Sequence, residues 1–314
     1  MQTLAGKFVP VMITPFNVKA EIDYDALNVL IDFYLKAGVK GFFANCLSSE
    51  MFSISEAERL ELTRHIVKYV NGRAPVVATG SFGFTIEEKA AFTKRIYDTG
   101  VDAVILISGH FAKVDEDDNV LLRNFENMLA LTQNIPLGIY ECPAPYKRIL
   151  STAVFKQLVQ TNRFVYHKDT SIKREYVEAK LKVLQEVPNK LEFYDAHTPN
   201  AMFSMQHGAV GMSSISGNFY PEVLVWMVEH ANDADMLEKV KWLQEELTAV
   251  DPMIHIAYPM SAKYFLQKRG LPVKHISRAY AMHPTPEQKK ELDLLYDKFL
   301  YWCEQLDIRT VKVT

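Results

Sequence analysis

Apolar residues gather along this chain in short unbroken runs that recur at regular intervals. Each run is followed by a longer stretch with the three-to-four-residue spacing of an amphipathic helix. The runs Phe8–Ile13, Gly41–Asn45, Pro75–Thr79, Ala103–Ile107, Pro136–Tyr140, Phe164–Lys168, Leu191–Asp195 and Val210–Ile215 predict eight strands. They are continuous rather than alternating, as expected of parallel strands covered by helices. The intervening stretches Tyr24–Lys36, Ser55–Val70, Ile86–Thr99, Asn119–Thr132, Ser151–Gln160, Ile172–Gln185 and Pro199–His207 predict helices. Ser55 and Thr85 each stand three residues before a glutamate, the arrangement of a capping box. Gly38 and Gly100 follow two of the helices, where a left-handed residue commonly ends the spiral.

Eight β/α units in roughly 230 residues predict a (β/α)8 TIM barrel, a fold that typically takes ~250. The competing architecture is an open doubly wound sheet, which places a glycine-rich phosphate loop after its first strand. Here that strand runs into Ile13-Thr14-Pro15-Phe16 with no glycine, which favours the barrel. From Pro221 onward the pattern is helical: Val223–His230, Asp235–Val250, Ala262–Lys268 and Pro286–Gln305, with only the tail Thr310–Val313 reading as strand. The expected organisation is a barrel over residues 1–232 and a C-terminal helical appendix over 233–314 without a separate function.

Composition narrows the classes. With 314 residues, 48% hydrophobic and 23% charged, the chain can bury a large core. A net charge of −3 without any Lys/Arg cluster argues against nucleic acid as a partner. No run approaches the about 18 apolar residues that span a bilayer, so no membrane association is expected. Met1–Lys7 lacks the apolar stretch of a secretory leader, and Cys46, Cys142 and Cys303 form no metal-binding or disulfide pattern. A cytoplasmic protein with reduced thiols and no metal is expected.

Barrel enzymes carry their chemistry at the C-terminal ends of the strands. Lys168 falls there, late in the apolar run Phe164-Val165-Tyr166-His167-Lys168, where a buried ammonium is costly. Desolvation lowers a lysine pKa and leaves a neutral amine able to attack a carbonyl. Tyr140 ends the preceding strand and is placed to move a proton. Strand alternation puts Tyr166, Lys168 and Thr170 on one face and His167 on the other, so His167 is read as structural. Ser213 and Ser214 on the eighth strand, His110 after the fourth, and Asp195, His197 and Asn200 after the seventh are further rim positions. Of these, His110 and His197 are candidate contacts for the distal part of a substrate. Glu50 is read as orienting the segment after it, and Cys46 and Cys142 as packing residues.

These residues occur in a distinctive order. Val11-Met12-Ile13-Thr14-Pro15-Phe16 and Ile22-Asp23 are followed by Cys46-Leu47-Ser48-Ser49-Glu50, Ser53 and Glu58-Arg59. Then come Tyr140-Glu141-Cys142-Pro143, Lys168-Asp169 and Gly208–Asn218. In this the chain resembles the dihydrodipicolinate synthase / N-acetylneuraminate lyase family of Schiff-base class I aldolases over nearly its whole length. The resemblance implies a (β/α)8 barrel with a helical appendix, assembled as a homotetramer or dimer, with neither metal nor organic cofactor. It implies that Lys168 forms a covalent imine with pyruvate or another 2-keto acid and that Tyr140 relays protons. It also implies that Ser48, with the N–H groups of its turn and neighbouring Ser49, binds the keto-acid carboxylate.

Some positions depart from the family pattern. Leu47 and Phe111 stand where the lysine-pathway synthases carry relay hydroxyls, and neither can pass a proton. Pro145 or Tyr146 stands where those synthases carry a carboxylate-gripping arginine, with Arg148 three residues beyond. The acidic pair of sialic-acid lyases is missing from Asp195-Ala196-His197-Thr198-Pro199-Asn200. The expectation is therefore a Schiff-base lyase, an aldolase or a dehydratase, acting on pyruvate or a 2-keto acid such as a 2-keto-3-deoxy sugar acid. The alternatives are the dihydrodipicolinate synthase or N-acetylneuraminate lyase proper, and a catalytically silent keto-acid-binding protein.

Overall fold

The computed structural model describes residues 6–312. Eight strands, β1 (Lys7–Phe8), β2 (Phe42–Ala44), β3 (Val76–Thr79), β4 (Ala103–Ile107), β5 (Leu137–Tyr140), β6 (Phe164–Asp169), β7 (Glu192–Asp195) and β8 (Gly211–Met212), form one parallel sheet. Its order is β1-β8-β7-β6-β5-β4-β3-β2, and the sheet is curled. Just after β1, Val11 bridges Phe43 of β2, and the Phe43 N–H donates to Pro10 O at 3.0 Å. Between the strands run α1 (Tyr24–Lys36), α2 (Glu56–Val70), α3 (Ile86–Tyr97), α4 (Asp118–Thr132), α5 (Thr152–Gln160), α6 (Arg174–Glu186) and α7 (Ala201–Gln206). After β8 come α8 (Pro221–His230), α9 (Leu237–Ile254), α10 (Met260–Lys268) and α11 (Pro286–Gln305). No described helix is long and apolar enough to cross a membrane.

Strand alternation sorts the apolar residues into two cores. Ala103, Ile105 and Ile107 of β4 point inward to a cluster with Val9, Phe43, Val77, Tyr140, Tyr166 and Tyr194. Val104 and Leu106 point outward into the larger layer between sheet and helices. The expected capping boxes form: Ser55 Oγ accepts from the Glu58 N–H while Glu58 accepts from the Ser55 N–H, and Thr85 and Glu88 repeat the exchange. Gly38 and Gly100 adopt φ of 91° and 96°, the left-handed region the sequence pointed to.

Several elements differ from expectation, the eighth strand shrinking to Gly211–Met212, and three do so for evident local reasons. The first strand is cut to two residues because Pro10 brings no N–H to the ladder. The seventh helix splits into a 3₁₀ turn over Thr198–Asn200, carrying Pro199, and the short α7. α9 continues through Pro252 to Ile254 rather than ending at Val250. Of the expected strand Thr310–Val313, residues 310–312 are irregular, while Val313, like Met1–Ala5 of the opening segment, lies outside the described residues.

Glu50 fastens the C-terminal helices to the sheet. Its carboxylate is buried and accepts from Lys263 Nζ of α10 at 2.8 Å, Ser277 Oγ at 2.8 Å, and the N–H groups of Arg278 and Ala279 at 2.7 and 3.0 Å. Removing one partner of a buried ion pair strands the other charge, which costs about 3–5 kcal/mol. Glu50→Ala is therefore expected to lower the thermal unfolding midpoint well beyond the effect of Glu61→Ala, a surface-pair control. Equal midpoints for the two variants would refute the anchoring role.

Candidate active site

β5 and β6 lie in register with Tyr140 beside Lys168, and Lys168 beside Tyr194 of β7. Lys168 is 3% exposed, and its Nζ sits 4.6 Å from the centre of the Tyr140 ring and 5.6 Å from that of Phe43. Among the described residues no carboxylate or hydrogen-bond acceptor holds this amine. Burial, only partly offset by the Cys46 and Cys142 thiols, brings the Lys168 pKa down to about 8. Burial also pushes the Tyr140 phenol well above its usual range, with the Cys142 and Cys46 thiols adding to the effect. Cys142 itself is pushed up to about 11 by burial, so it stays a thiol, in keeping with a packing role.

The residues next to this pair face the other way. Glu141 and Asp169 point out of the strand ends toward α6, where Lys180 Nζ donates to both, at 2.6 Å to Asp169. All three side chains are buried. Burial works against an ionised Asp169, yet Lys180 and His167 hold its carboxyl well below the usual carboxylate range. Burial and the Asp169 charge push Glu141 upward. Glu141 also accepts from the Leu150 N–H at 2.9 Å, and Asp169 from Ser171. His167 lies on this outer face, between Phe155 and Phe193, as its structural reading requires.

Lys168 opens into a cavity of about 270 Å³. Tyr140, Ser48, Thr170 and His197 line it as well, so five of the residues expected at the site come together. Three do not. The Ser49 hydroxyl turns away and donates to Met12 O at 2.6 Å. Ser213 accepts from Tyr166 inside the sheet at 3.2 Å. His110 packs between Phe52 and Phe82 with Nδ1 donating to Ser81 O, and burial takes it down to about 4. Asp195 and Asn200 also stay out of the cavity: Asp195 accepts from Ser204 and the His197 N–H, and Asn200 ties Arg174 to Ile172. Phe111 stacks on Phe125 in the outer core, Tyr146 donates to Ala112 O, and Arg148 pairs with Asp118.

Several lining residues went unseen in the sequence. Lys147 reaches the cavity and donates to Thr170 O at 2.9 Å. Asp251, Ile254 and His255 come from the end of α9, and Tyr258 and Tyr280 from the segments after α9 and α10. Tyr258 donates to Ser48 Oγ at 2.8 Å and accepts from Asn218 Nδ2 at 2.6 Å. The C-terminal helices thus supply a wall of the site rather than a mere appendage. The expected helix Asp235–Val250 ended before these residues, which hid Asp251 and His255. Lys180 left a readable signal, because it interrupts the buried face Val177, Lys180, Leu181 of α6.

A family model described as the dihydrodipicolinate synthetase family matches residues 4–296. The chain is 25% identical over 294 residues to a 4-hydroxy-tetrahydrodipicolinate synthase of Oceanobacillus iheyensis, covering 94% of this chain and 97% of that one. A Bacillus subtilis protein of the same name is 26% identical over 269 residues, 85% of this chain and 90% of its own. Among solved structures, YagE, a prophage protein of the dihydrodipicolinic acid synthase family from E. coli K12 in complex with pyruvate, superposes with a TM-score of 0.84 at 22% identity. That match covers 98% of this chain and all of YagE (100%). A monomeric dihydrodipicolinate synthase variant gives 0.84 at 15% identity over 95% of this chain and 97% of its own.

Desolvation of the amine has a thermodynamic signature independent of any substrate. Folded protein gives up the Lys168 proton near pH 8, the unfolded chain near 10.5, so the unfolded state binds more protons between them and stability rises with pH in that window. Lys168→Met keeps the aliphatic stem without the charge. It is expected to unfold at a higher temperature than wild type at pH 7, and to lose that advantage as pH climbs from 8 toward 10.5. Parallel midpoint-against-pH curves for the two proteins would show that the amine is not desolvated.

Proposed function

The chain belongs to the dihydrodipicolinate synthetase family, and on that premise we propose that Lys168 captures the ketone of pyruvate or another 2-keto acid as a covalent imine. The chain is a lyase of the Schiff-base class. The observation that carries the assignment to Lys168 is its desolvated amine, without a hydrogen-bond or ion-pair partner among the described residues, beside Tyr140 in a cavity. At pH 7 an amine of pKa about 8 is roughly one-tenth neutral, far more than an exposed lysine offers.

The neutral amine adds to the keto carbon, and the carbinolamine loses its hydroxyl as water to give the iminium. Tyr140, its phenol kept protonated by burial, delivers the proton that leaves with that water. The iminium then withdraws electrons from the adjacent carbon. In aldol cleavage the C4 hydroxyl loses its proton, the C3–C4 bond breaks, and an aldehyde departs from the pyruvate enamine. In dehydration C3 loses a proton and the C4 hydroxyl departs as water. After cleavage the enamine takes a proton at C3 to become an iminium again, and in either branch hydrolysis of the iminium by water frees Lys168.

A 2-keto-3-deoxy sugar acid suits the far end of the cavity, where Lys147, His197, Thr198, Asp251 and His255 offer donors and acceptors of mixed charge to a hydroxylated tail. Leu47 on the wall and Phe111 in the outer core leave the hydroxyl relay of the lysine-pathway synthases without its members. We read the curled sheet as a closed (β/α)8 barrel with residues 233–314 as its appendix. We read the protein as a cytoplasmic homotetramer or dimer that needs neither metal nor organic cofactor.

Incubation with pyruvate and borohydride is expected to add to the protein the mass of pyruvic acid less one oxygen, on Lys168 alone. Tyr140→Phe should retain that adduct but form it about 10²-fold or more slowly. No adduct on wild type, or an equal one on Lys168→Ala, would defeat the proposal.

A further inference from the structure

Ser48 lies 210 residues from Tyr258, yet the two hydroxyls are 2.8 Å apart, in a string whose direction can be worked out. The string begins at Val11 O, a carbonyl that can only accept. Asn218 contacts it at 2.9 Å, so the nitrogen of the amide, not its oxygen, must face that way. This orientation leaves Asn218 Oδ1 to accept from the Tyr34 hydroxyl. The second hydrogen of Nδ2 goes to the Tyr258 oxygen at 2.6 Å. Tyr258 thereby receives one hydrogen bond, and its only proton is committed to Ser48 Oγ. Ser48 becomes an acceptor there, and its own proton finds no other acceptor among the described residues. Ser48 lines the cavity that holds Lys168, so that proton is left for whatever enters.

We propose that Tyr258 is a positioning residue that fixes Ser48 as a one-way hydrogen-bond donor to the carboxylate of the bound 2-keto acid. The inference rests on the keto-acid reading of the cavity and adds to it the residue that orients the anion contact. A hydroxyl held this way pays no rotational search when the carboxylate arrives, and each upstream bond polarises the next, strengthening the final donor by about 10–30% per bond. Both Tyr258 and Asn218 lie in the chain's later part, so the C-terminal helices set the chemistry of a turn that follows β2. Leu47 contributes no hydroxyl to that turn, which leaves Ser48 as its one side-chain donor facing the cavity.

The test is a pyruvate titration of the full-length protein, read by borohydride trapping on Lys168, in wild type, Tyr258→Phe, Ser48→Ala and the double variant. Phenylalanine keeps the ring against Phe219 and removes only the hydroxyl. Tyr258→Phe is expected to raise the pyruvate concentration for half-maximal trapping about tenfold, the worth of one hydrogen bond, with the saturated trapping rate within about twofold of wild type. In the Ser48→Ala background the same substitution should change half-saturation by less than about twofold, because the two act through one contact. Unchanged half-saturation in Tyr258→Phe would overturn the inference, as would an undiminished penalty in the Ser48→Ala background. Both outcomes leave the keto-acid reading standing, whereas a wild type that pyruvate never labels overturns that reading and the inference together.

Discussion

A lysine amine at a buried cavity wall keeps a lowered pKa only if no carboxylate reaches it. Here the two nearest in sequence are turned away. Tyr140 and Lys168 face inward at adjacent strand ends, so Glu141 and Asp169, one residue further on, face outward. Lys180 neutralises them there. Were either carboxylate to swing to the inner face, Coulombic attraction would raise the pKa of the amine again and shrink its neutral fraction. The period of two along a strand separates a reactive amine from a structural ion cluster a few ångströms away. The rest of the site is built on that separation.

The outer cluster also holds the strands that carry the pair. Lys180 reaches from α6 to β5 and β6 at once, and Glu141 adds the Leu150 and Thr170 N–H groups. A buried cluster of this kind contributes little net stability when complete, but it costs heavily when broken, so it resists alternative arrangements. Glu50 plays the same part on the opposite side, tying the turn after β2 to α10 and the segment following it. Between these two fastenings lies the cavity, one wall from the strand ends and one from the C-terminal helices.

The C-terminal helices are therefore part of the site. Asp251, His255, Tyr258 and Tyr280 line the same cavity as Lys168. Lys168 and Tyr140 come from two adjacent strands, while another part of the lining comes from α9 and the segments after α9 and α10.

Much of this was legible in the sequence, because much of it is local. Apolar runs and capping boxes are local signals, and they place α1 and α11 within their observed limits and β4 at its observed ends. The strand period then puts Lys168 and Tyr140 inward and His167 outward without any knowledge of tertiary contacts. Ser49, Ser213 and His110 were less readable, since rim position says which residues are near the cavity but not which rotamer they adopt; each hydroxyl or imidazole found a nearer backbone or side-chain partner. What only the tertiary structure decided are the contacts between distant segments: Lys180 under β5 and β6, Glu50 with Lys263, and Tyr258 on Ser48. Local pattern says little of them: Glu50 and Tyr258 are ordinary in their own segments, and Lys180 marks only a break in the buried face of α6. Their roles come from burial beside a partner some 11 to 213 residues away, which only the folded chain brings within reach.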